Sequence, residues 1–526
     1  MDITPLGDSL SVSPQIRPAD VAEIAALGFR AIICNRPDGE EQGQPAASEI
    51  EAEARRLGLD FAHVPATAGA LDDNACAAMA KALAELPAPV LAYCRSGARS
   101  RKLWEMARAL PKAATGATSF DIVIVGGGSA GIATAASILK RDRRISVAIV
   151  EPSDVHYYQP GWTMVGGGIF TKEFTRRQEA SVIPDGATWI KASAAGFAPD
   201  RDRVVLCDGR ELAYRVLIAC PGIKLDWDAI PGLRETLGRN GVTSNYGYDL
   251  APYTNSLVRE FRGGRALFTQ PVMPIKCAGA PQKAMYMSCH RWERAGMLKD
   301  VDVQFHTAGA VLFGVAAYVP ALMEYVDRYG GHLNFQSSLV AIDGAAKVAT
   351  FEQRHGDTVS RVEERFDLIH VVPPQTAPDF VRSSPLAAAN GFIEVDEATL
   401  RHPRYPNVFA LGDACSASNA KTAAAARKQA PVVAVNALAA LAGREPVADY
   451  DGYGSCPLTV EAGKIVLAEF GYGGKLTPSF PSWLIDGTRP SRLSWLLKDT
   501  ILPPVYWHGM LKGREWLVKP HPIGAD

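Results

Sequence analysis

A glycine run at residues 126–131 is the feature that most constrains the fold. The segment from Gly126 to Gly131, Gly-Gly-Gly-Ser-Ala-Gly, follows the apolar stretch Asp121–Val125 and precedes a helical pattern over Ile132–Lys140. A further apolar stretch, Ile145–Val150, ends directly before an acidic residue. Strand, glycine turn, helix, strand and acid in this order predict a βαβ unit that binds a dinucleotide.

Each position in this unit has a physical role. Gly126 permits a tight turn, Gly128 lets the backbone approach a pyrophosphate, and Gly131 lets the helix pack closely on the strand. The pair Ser129–Ala130 lies where the helix begins, and the positive end of that helix faces the phosphates. Glu151, the acid after the second strand, is suited to accept hydrogen bonds from ribose hydroxyls.

Length and composition narrow the class of protein. A chain of 526 residues is too long for one hydrophobic core, so about two to four domains are expected. The net charge of −1 argues against nucleic acid as a partner. The N-terminus has no signal-peptide pattern, and no stretch approaches about 20 uninterrupted apolar residues. The cytoplasm is therefore the expected compartment.

Changes in composition and in the pattern of apolar residues divide the chain into domains, and the predicted strands and helices favour an α/β fold throughout. Short apolar strands are predicted at Phe29–Cys34 and Val90–Cys94, and strands of a second dinucleotide-type unit at Arg265–Phe268 and Val301–Phe305. No GxGxxG follows either of the last two. The expected domains are residues 1–112, a linker at 113–118, a two-dinucleotide-fold region at 119–445, and a C-terminal region at 446–526.

The segment Ser494–Lys512 mixes Trp, Tyr and Leu with Lys and is too short to span a bilayer. Apolar residues with aromatics and lysines are typical of a segment that lies in a membrane surface. The alternative is a docking tail or an oligomer contact.

Nine cysteines are scattered along the chain, and no two have CxxC spacing. This argues against zinc and against a thioredoxin-type motif, and no metal site is predicted. Each cysteine is therefore either packing or chemistry. Cys220 and Cys415 are interpreted as packing.

Residues 120 to about 515 resemble sulfide:quinone oxidoreductases of the type that includes the mitochondrial enzymes. The resemblance is carried by four segments in one order: His156–Gly166, Pro274–Lys283, Gly412–Asp413 through Lys421, and Tyr453–Leu458. It implies a two-dinucleotide-domain flavoprotein whose glycine run binds FAD. Among the matched residues, Gln159, Gly412, Asp413 and Lys421 are expected to contact the cofactor.

The resemblance also selects Cys277 and Cys456 as a redox pair. Oxidation of sulfide to sulfane sulfur needs a disulfide that HS⁻ can attack, so the two must converge at the flavin. Attack would leave a persulfide, expected on Cys456, and a Cys277 thiolate that passes two electrons to the flavin. Lys283 and Lys421 are expected to stabilise anionic flavin or sulfide species.

The missing second glycine fingerprint bears on the electron donor. A flavoprotein reduced by NAD(P)H usually carries one, so its absence favours sulfide as the reductant and quinone as the acceptor. Two other functions stay open: an NADH:quinone reductase, and a flavin-regulated tyrosine phosphatase.

The N-terminal domain resembles a tyrosine-phosphatase-like family that is also fused to metallo-β-lactamase-type hydrolases. The matching segments are Asn35–Gly39 and Cys94–Ser100. A cysteine between a strand and a helix N-terminus is typical of phosphatases and of rhodaneses. Phosphatases need Cys, five residues, then Arg; four residues separate Cys94 from Arg99, which is closer to the rhodanese loop. Sulfur transfer is favoured over phosphatase activity and over a non-catalytic anion-binding loop.

The expected partners follow from these interpretations. They are sulfide, a quinone, and a sulfur acceptor that is a low-molecular-weight thiol, sulfite or Cys94 itself. Peripheral association with the inner face of the cytoplasmic membrane is expected, and a homo-oligomer is left open.

Overall fold

The computed structural model describes residues 2–7, 9–67, 71, 73–109 and 118–524. The chain forms two compact units. The first contains residues 1–119, 192–198 and 203–213, and the second contains residues 120–191, 199–202 and 214–526. The linker expected at 113–118 lies outside the described residues, apart from Thr118, which begins a strand.

The strands are named in chain order. They are β1 Thr4–Pro5, β2 Leu10–Ser13, β3 Ala31–Cys34, β4 Asp60–His63, β5 Val90–Tyr93, β6 Thr118–Val125, β7 Val147–Val150, β8 Val155–Tyr157, β9 Arg176–Gln178, β10 Ala187–Ile190, β11 Ala194–Ala198, β12 Arg203–Leu206, β13 Glu211–Ala219, β14 Lys224–Leu225, β15 Val242–Thr243, β16 Gly264–Gln270, β17 Val301–Thr307, β18 His332–Asn334, β19 Ser337–Asp343, β20 Val348–His355, β21 Thr358–Arg365, β22 Leu368–His370, β23 Gln375–Thr376, β24 Val408–Ala410, β25 Ala448–Asp449, β26 Gly454–Glu461, β27 Lys464–Phe470 and β28 His521–Pro522.

The α-helices are named in the same way. They are α1 Val21–Ala26, α2 Ala47–Arg56, α3 Asp73–Glu85, α4 Ala98–Ala109, α5 Ser129–Arg141, α6 Trp162–Gly166, α7 Leu233–Thr236, α8 Leu250–Glu260, α9 Ala280–Arg294, α10 Val319–Tyr329, α11 Asp379–Arg382, α12 Ala423–Leu441, α13 Arg492–Leu496 and α14 Leu502–Pro504.

The first unit is built on a five-stranded sheet in the order β1-β2-β5-β3-β4. Strands β2, β5, β3 and β4 run parallel, and β1 is an antiparallel edge. The predicted strands at Phe29–Cys34 and Val90–Cys94 correspond to β3 and β5, both fully buried. Because parallel strands end at the same edge of a sheet, Ser13, Cys34 and Tyr93 end their strands side by side.

The same unit includes an antiparallel pair later in the chain. Strand β11 pairs with β12, and β12 pairs with the first residues of β13.

The second unit contains the dinucleotide-binding sheet predicted from the glycine run. Strand β6 lies between β7 and β13, β10 pairs with β7, and β24 pairs with β13. Helix α5 begins directly after the glycine run and is buried along most of its length, and α12 packs against it. The carboxyl ends of β6, β13 and β24 therefore bring Gly126, Cys220 and Gly412 to one edge of the sheet.

A second parallel sheet lies in the same unit, in the order β15-β22-β16-β17-β18. The strands predicted at Arg265–Phe268 and Val301–Phe305 are β16 and β17. An antiparallel sheet β19-β20-β21 and the hairpin β26-β27 accompany it, and α9 packs on β26. The α/β class with two dinucleotide-type units is confirmed.

The C-terminal segment is helical but irregular. Helix α13 continues through π-helical residues Leu497–Ile501, α14, π-helical Val505–Gly509 and a 3₁₀ turn at Met510–Lys512. The aromatic residues of this segment were expected to lie at the surface, but Tyr506 and Trp507 are buried, at only 4% and 6% exposed. Within the described residues, no helix combines the length and apolar character needed to cross a bilayer.

Candidate active site

The glycine loop has the geometry that its sequence predicts. Gly126 has a φ of +109°, in the region that favours glycine, and a Cβ there would collide with the carbonyl of Cys220. A Cβ on Gly131 would collide with the carbonyl of Gly126. Nothing lies within 4 Å of a Cβ built on Gly128, where the loop opens toward a large cavity. At Gly126 and Gly131 a larger side chain would therefore collide with the protein backbone, whereas Gly128 faces the cavity.

Glu151 lies at the edge of this cavity. Its two carboxylate oxygens accept hydrogen bonds from the backbone N–H groups of Gly127 and Ser153, each at 2.9 Å. Burial raises the pKa of this carboxyl group, although the two N–H groups oppose the shift. The carboxylate is therefore held beside the glycine loop, where ribose hydroxyls of a dinucleotide would lie.

The cavity has a volume of about 1020 Å³ and runs from the glycine loop to Cys277. All predicted site residues of this unit line it except Gly131 and Cys456. They are Gly126, Gly128, Ser129, Ala130, Glu151, Gln159, Cys277, Lys283, Gly412, Asp413 and Lys421. The glycine cradle, the ribose-side acid and a cavity of this size fit FAD.

Polar groups lie along the middle of the cavity. Asp413 follows Gly412, whose φ is +71°, and burial raises the pKa of its carboxyl group while Lys421 and Lys276 oppose the shift. The Lys421 ammonium donates to the carbonyl of Cys415 at 2.8 Å. Gln159 accepts a hydrogen bond from Lys276 at 2.6 Å.

The structure brings together the two cysteines that the resemblance selected, although 179 residues separate them. The Sγ atoms of Cys277 and Cys456 lie 3.4 Å apart. Cys277 has a φ of +53° and its N–H donates to the carbonyl of Lys421 at 2.8 Å. Cys456 lies in β26, which packs on α9, and a Cβ on Gly279 would lie 2.6 Å from its Sγ. Close approach of the thiols therefore depends on a glycine at position 279.

The two thiols have different electrostatic surroundings. Lys283, in the first turns of α9, places its Nζ 3.1 Å from the Sγ of Cys277. The hydrogen bond from Cys456 and the nearby Lys283 ammonium hold the pKa of Cys277 well below the usual thiol range, against the effect of burial. The hydrogen bond to Cys277 and burial raise the pKa of Cys456. Negative charge in the reduced pair is thus stabilised on Cys277.

A second buried lysine near the pair was missed from the sequence. Lys498 is 5% exposed and donates to the carbonyl of Pro457 at 3.2 Å and to the hydroxyl of Thr459 at 3.0 Å. Burial, and then repulsion from Lys283, lower its pKa well below the usual value. Its place in an apolar, aromatic stretch indicated a membrane segment, and no local pattern in the sequence distinguishes it as a site residue.

Tyr506 of the C-terminal segment was also missed. Its hydroxyl lies 2.6 Å from the hydroxyl of Ser129 in the glycine loop and 2.6 Å from Nε2 of His156. His156 lies 3.3 Å from the buried carboxylate of Glu179. The C-terminal segment is thereby hydrogen-bonded to the start of α5.

Cys94 and Arg99 lie in the first unit: Cys94 directly follows β5, and Arg99 is in the first turn of α4. Cys94 is 1% exposed, and its N–H donates to the carbonyl of Ser13 at 3.4 Å. The guanidinium of Arg99 donates to the carbonyl of Ala66 and to the carboxylate of Glu40, both at 2.7 Å. The cysteine lies on the loop before α4 and the arginine in the first turn of that helix, but both terminal nitrogens of the arginine are bound by the protein.

The site of the second unit defines a class of protein. Its features are those of a two-dinucleotide-domain flavoprotein: a dinucleotide domain with a glycine loop, a second parallel sheet without that loop, and a cysteine pair of which Cys277 lines the same cavity as the glycine loop. FAD is its cofactor.

The comparisons with known proteins identify the family. The chain is 42% identical to the mitochondrial sulfide:quinone oxidoreductase of Dictyostelium discoideum over 401 residues, which is 76% of this chain and 87% of that protein. The chain belongs to the sulfide:quinone oxidoreductase family.

Solved structures show the same fold at low identity. The sulfide:quinone oxidoreductase of Aquifex aeolicus aligns with a TM-score of 0.62 at 18% identity, covering 76% of this chain and 92% of that one. A chain in the Tetrahymena thermophila mitochondrial ATP synthase aligns with a TM-score of 0.66, also at 18% identity, covering 77% and 98%. Residues 2–111 match the family described as beta-lactamase hydrolase-like protein, phosphatase-like domain.

Replacing Gly279 by Ala should separate the two cysteines. The added Cβ would meet Leu458 and the Sγ of Cys456, so the thiols could not approach to bonding distance without a backbone shift. We expect at least a tenfold lower yield of the Cys277–Cys456 disulfide in peptide mapping of the oxidised, unreduced protein.

Gly314→Ala is the matched control, because nothing lies within 4 Å of a Cβ at that position. An unchanged disulfide yield in Gly279→Ala would show that close packing at this glycine does not position Cys456.

Proposed function

We propose that this chain oxidises sulfide to sulfane sulfur and passes the electrons through FAD to a quinone. The observation that carries the proposal is the Cys277–Cys456 pair, 3.4 Å apart at the end of the cavity with an ammonium group beside one sulfur. Two thiols at this separation can form a disulfide with little movement, and a disulfide is the group that HS⁻ attacks.

In the first step HS⁻ attacks one sulfur of the oxidised pair. The Cys277–Cys456 bond breaks, a new S–S bond forms between the sulfide and one cysteine, and the other cysteine leaves as a thiolate. The sulfide sulfur is oxidised by two electrons and the disulfide is reduced by two, so the step balances.

The electrostatics assign the two roles. A thiol of lower pKa is the better leaving group in exchange. Because Lys283 and Cys456 stabilise the Cys277 thiolate, attack at Cys456 with departure of Cys277 is favoured. Cys456 then carries the persulfide. Cys277, which lines the cavity, holds the electron pair next to the cofactor.

FAD bound in the cavity supplies a two-electron acceptor that a quinone can reoxidise. The chain's own residues prepare its site: the glycine loop holds the pyrophosphate, and Lys421 lies along the middle of the cavity. A low-molecular-weight thiol or sulfite then removes the sulfane sulfur from Cys456. The Cys277–Cys456 disulfide forms again as its two electrons pass by way of FAD to the quinone. With a thiol, the sum is HS⁻ + RSH + quinone + H⁺ giving RSSH + quinol.

The second sheet supports sulfide over a nicotinamide as the reductant. In a dinucleotide-binding βαβ unit the glycine turn follows the first strand. Here β16 is followed by Pro271-Val-Met-Pro274 and then by Cys277 before α9 begins. The position of a nicotinamide-binding turn is occupied by the segment that presents the redox cysteine.

Cysteine replacement tests the proposal. Cys277→Ser and Cys456→Ser should each lower sulfide-driven quinone reduction at least a thousandfold, because neither variant can form the disulfide, while FAD stays bound. Rates would be measured anaerobically with a short-chain quinone, and bound FAD by absorbance.

Cys207→Ser is the control, since this half-buried cysteine lies outside the cavity. Retained sulfide oxidation in Cys277→Ser or Cys456→Ser would refute the assigned pair.

For the N-terminal domain we propose that Cys94 accepts sulfane sulfur from a small persulfide. The Cys94 thiolate attacks the outer sulfur of RSSH, the donor S–S bond breaks, a persulfide forms on Cys94, and RSH leaves. Phosphatase activity is disfavoured because Ser100 occupies the position of the phosphatase arginine and Arg99 is bound by protein groups.

Single-turnover transfer tests this second activity. Incubation with glutathione persulfide should label Cys94 with one extra sulfur, detected by peptide mass spectrometry, and Cys94→Ser should lose the label without loss of quinone reduction. Hydrolysis of an aryl phosphate that depends on Cys94, with no sulfur labelling, would favour the phosphatase alternative.

We also propose that the C-terminal region contacts the inner face of the cytoplasmic membrane, which would give a quinone access to the cavity. Exposed apolar residues concentrate between residues 483 and 517, with Trp483 at 83% and Leu517 at 78% exposed. Ile501, Trp516 and Leu517 also line the cavity, so this region borders the route to the cofactor.

Vesicle binding measures this contact. Replacing Leu493, Leu496 and Ile501 together by Ser removes exposed apolar area and should weaken binding to phospholipid vesicles at least tenfold. The control changes Val272, Val311 and Val359 to Ser, which are exposed elsewhere in the same unit. Equal binding of the two variants would contradict the proposal.

A further inference from the structure

In the first unit, an acidic loop contacts the Cys94 loop, residues 94–97, and the first turn of α4. This acidic loop, Pro37–Gln44, follows β3 and carries Glu40 and Glu41. One oxygen of Glu40 lies 2.7 Å from Nη2 of Arg99, and the other lies 2.7 Å from Nε of Arg36. Glu40 is thus shared between Arg99 in the first turn of α4 and the buried Arg36, which follows β3.

Glu41 completes the pairing. It accepts from Nη2 of Arg36 at 2.8 Å and lies 3.6 Å from Nε of Arg95. Three arginines, Arg36, Arg95 and Arg99, each have a carboxylate of the acidic loop as a partner. In a loop that binds a free oxyanion, such arginines would have the oxyanion as partner instead.

The end of β2 and the first turn of α4 leave buried polar atoms available in the first unit. Ser13 Oγ, Ser100 Oγ and Arg99 Nε are buried and, in the part of the chain that the structure describes, have no hydrogen-bond partner. Ser13 and Ser100 are at most 1% exposed. Buried polar groups without partners are rare, so these atoms point to a ligand that completes them.

Resting on the sulfur-transfer function proposed for Cys94, we propose that Glu40 determines which substrates this loop accepts. Its carboxylate occupies the place of an oxyanion between Arg99 and Arg36. The loop therefore takes a sulfane sulfur, which carries at most one charge, and rejects phosphate esters and other dianions.

The charge on Glu40 persists at neutral pH. Although burial opposes ionisation, hydrogen bonds from Arg36 and Arg99 hold the pKa of this carboxyl group below its ordinary value. A dianion entering the loop would meet a like charge and would find both terminal nitrogens of Arg99 already bound. A persulfide does not need the two terminal nitrogens, because its outer sulfur reacts with Cys94 and its single charge can be met by Arg99 Nε and the hydroxyls of Ser13 and Ser100.

Binding of inorganic phosphate to the full-length FAD-loaded protein tests this role. The readout is protection of Cys94 from alkylation, quantified by peptide mass spectrometry over a phosphate titration. Glu40→Gln keeps the size of the side chain and removes its charge, so we expect phosphate to protect at a concentration at least tenfold lower than in the unaltered protein. Glu53→Gln is the control, because Glu53 pairs with Arg56 on the exposed side of α2.

A second variant in the same loop distinguishes a specific effect of Glu40 from a general disturbance of the loop. Glu41 is 53% exposed and touches Arg36 and Arg95 but not Arg99, so Glu41→Gln should shift phosphate protection by less than Glu40→Gln. Equal protection in Glu40→Gln and the unaltered protein, or equal shifts in both variants, would overturn the role of Glu40. If the unaltered protein shows no persulfide labelling at Cys94, the proposed sulfur transfer is wrong. The phosphate titration still decides separately whether Glu40 excludes dianions.

Discussion

The contact between Lys283 and the cysteine pair is the interaction on which the rest of the site depends. The hydrogen bond from Cys456 and an ammonium 3.1 Å from the sulfur hold the pKa of Cys277 low and stabilise its thiolate, whereas the pKa of Cys456 is raised. In our proposal this difference in pKa directs the attack of HS⁻ to Cys456 and makes Cys277 the leaving group. Helix α9 supplies Lys283, the segment directly before α9 supplies Cys277, and β26 supplies Cys456.

The C-terminal segment links this chemistry to the cofactor site and to the surface. Lys498 faces the hairpin that carries Cys456, and Tyr506 is hydrogen-bonded to Ser129 in the glycine loop. Exposed apolar side chains of the same region point outward. One irregular stretch of helix thus forms a wall of the cavity and, in our proposal, the surface that meets the membrane.

The sequence predicted those parts of the site whose residues lie close together along the chain. The glycine run and Glu151 are part of one local βαβ pattern, so their joint position follows from sequence alone. Cys277 and Cys456 could be paired only through a family resemblance, because nothing in their local sequence shows that β26 packs on α9. Lys498 and Tyr506 could not be predicted, since burial of a lysine or a tyrosine depends on distant partners.

Anaerobic titration of the FAD-loaded protein with sulfide, following the flavin spectrum, tests the central claim most directly. We predict that about one equivalent of sulfide bleaches the flavin without NADH, and that a short-chain quinone restores the oxidised spectrum. A flavin that stays oxidised with excess sulfide but is rapidly reduced by NADH alone would contradict it.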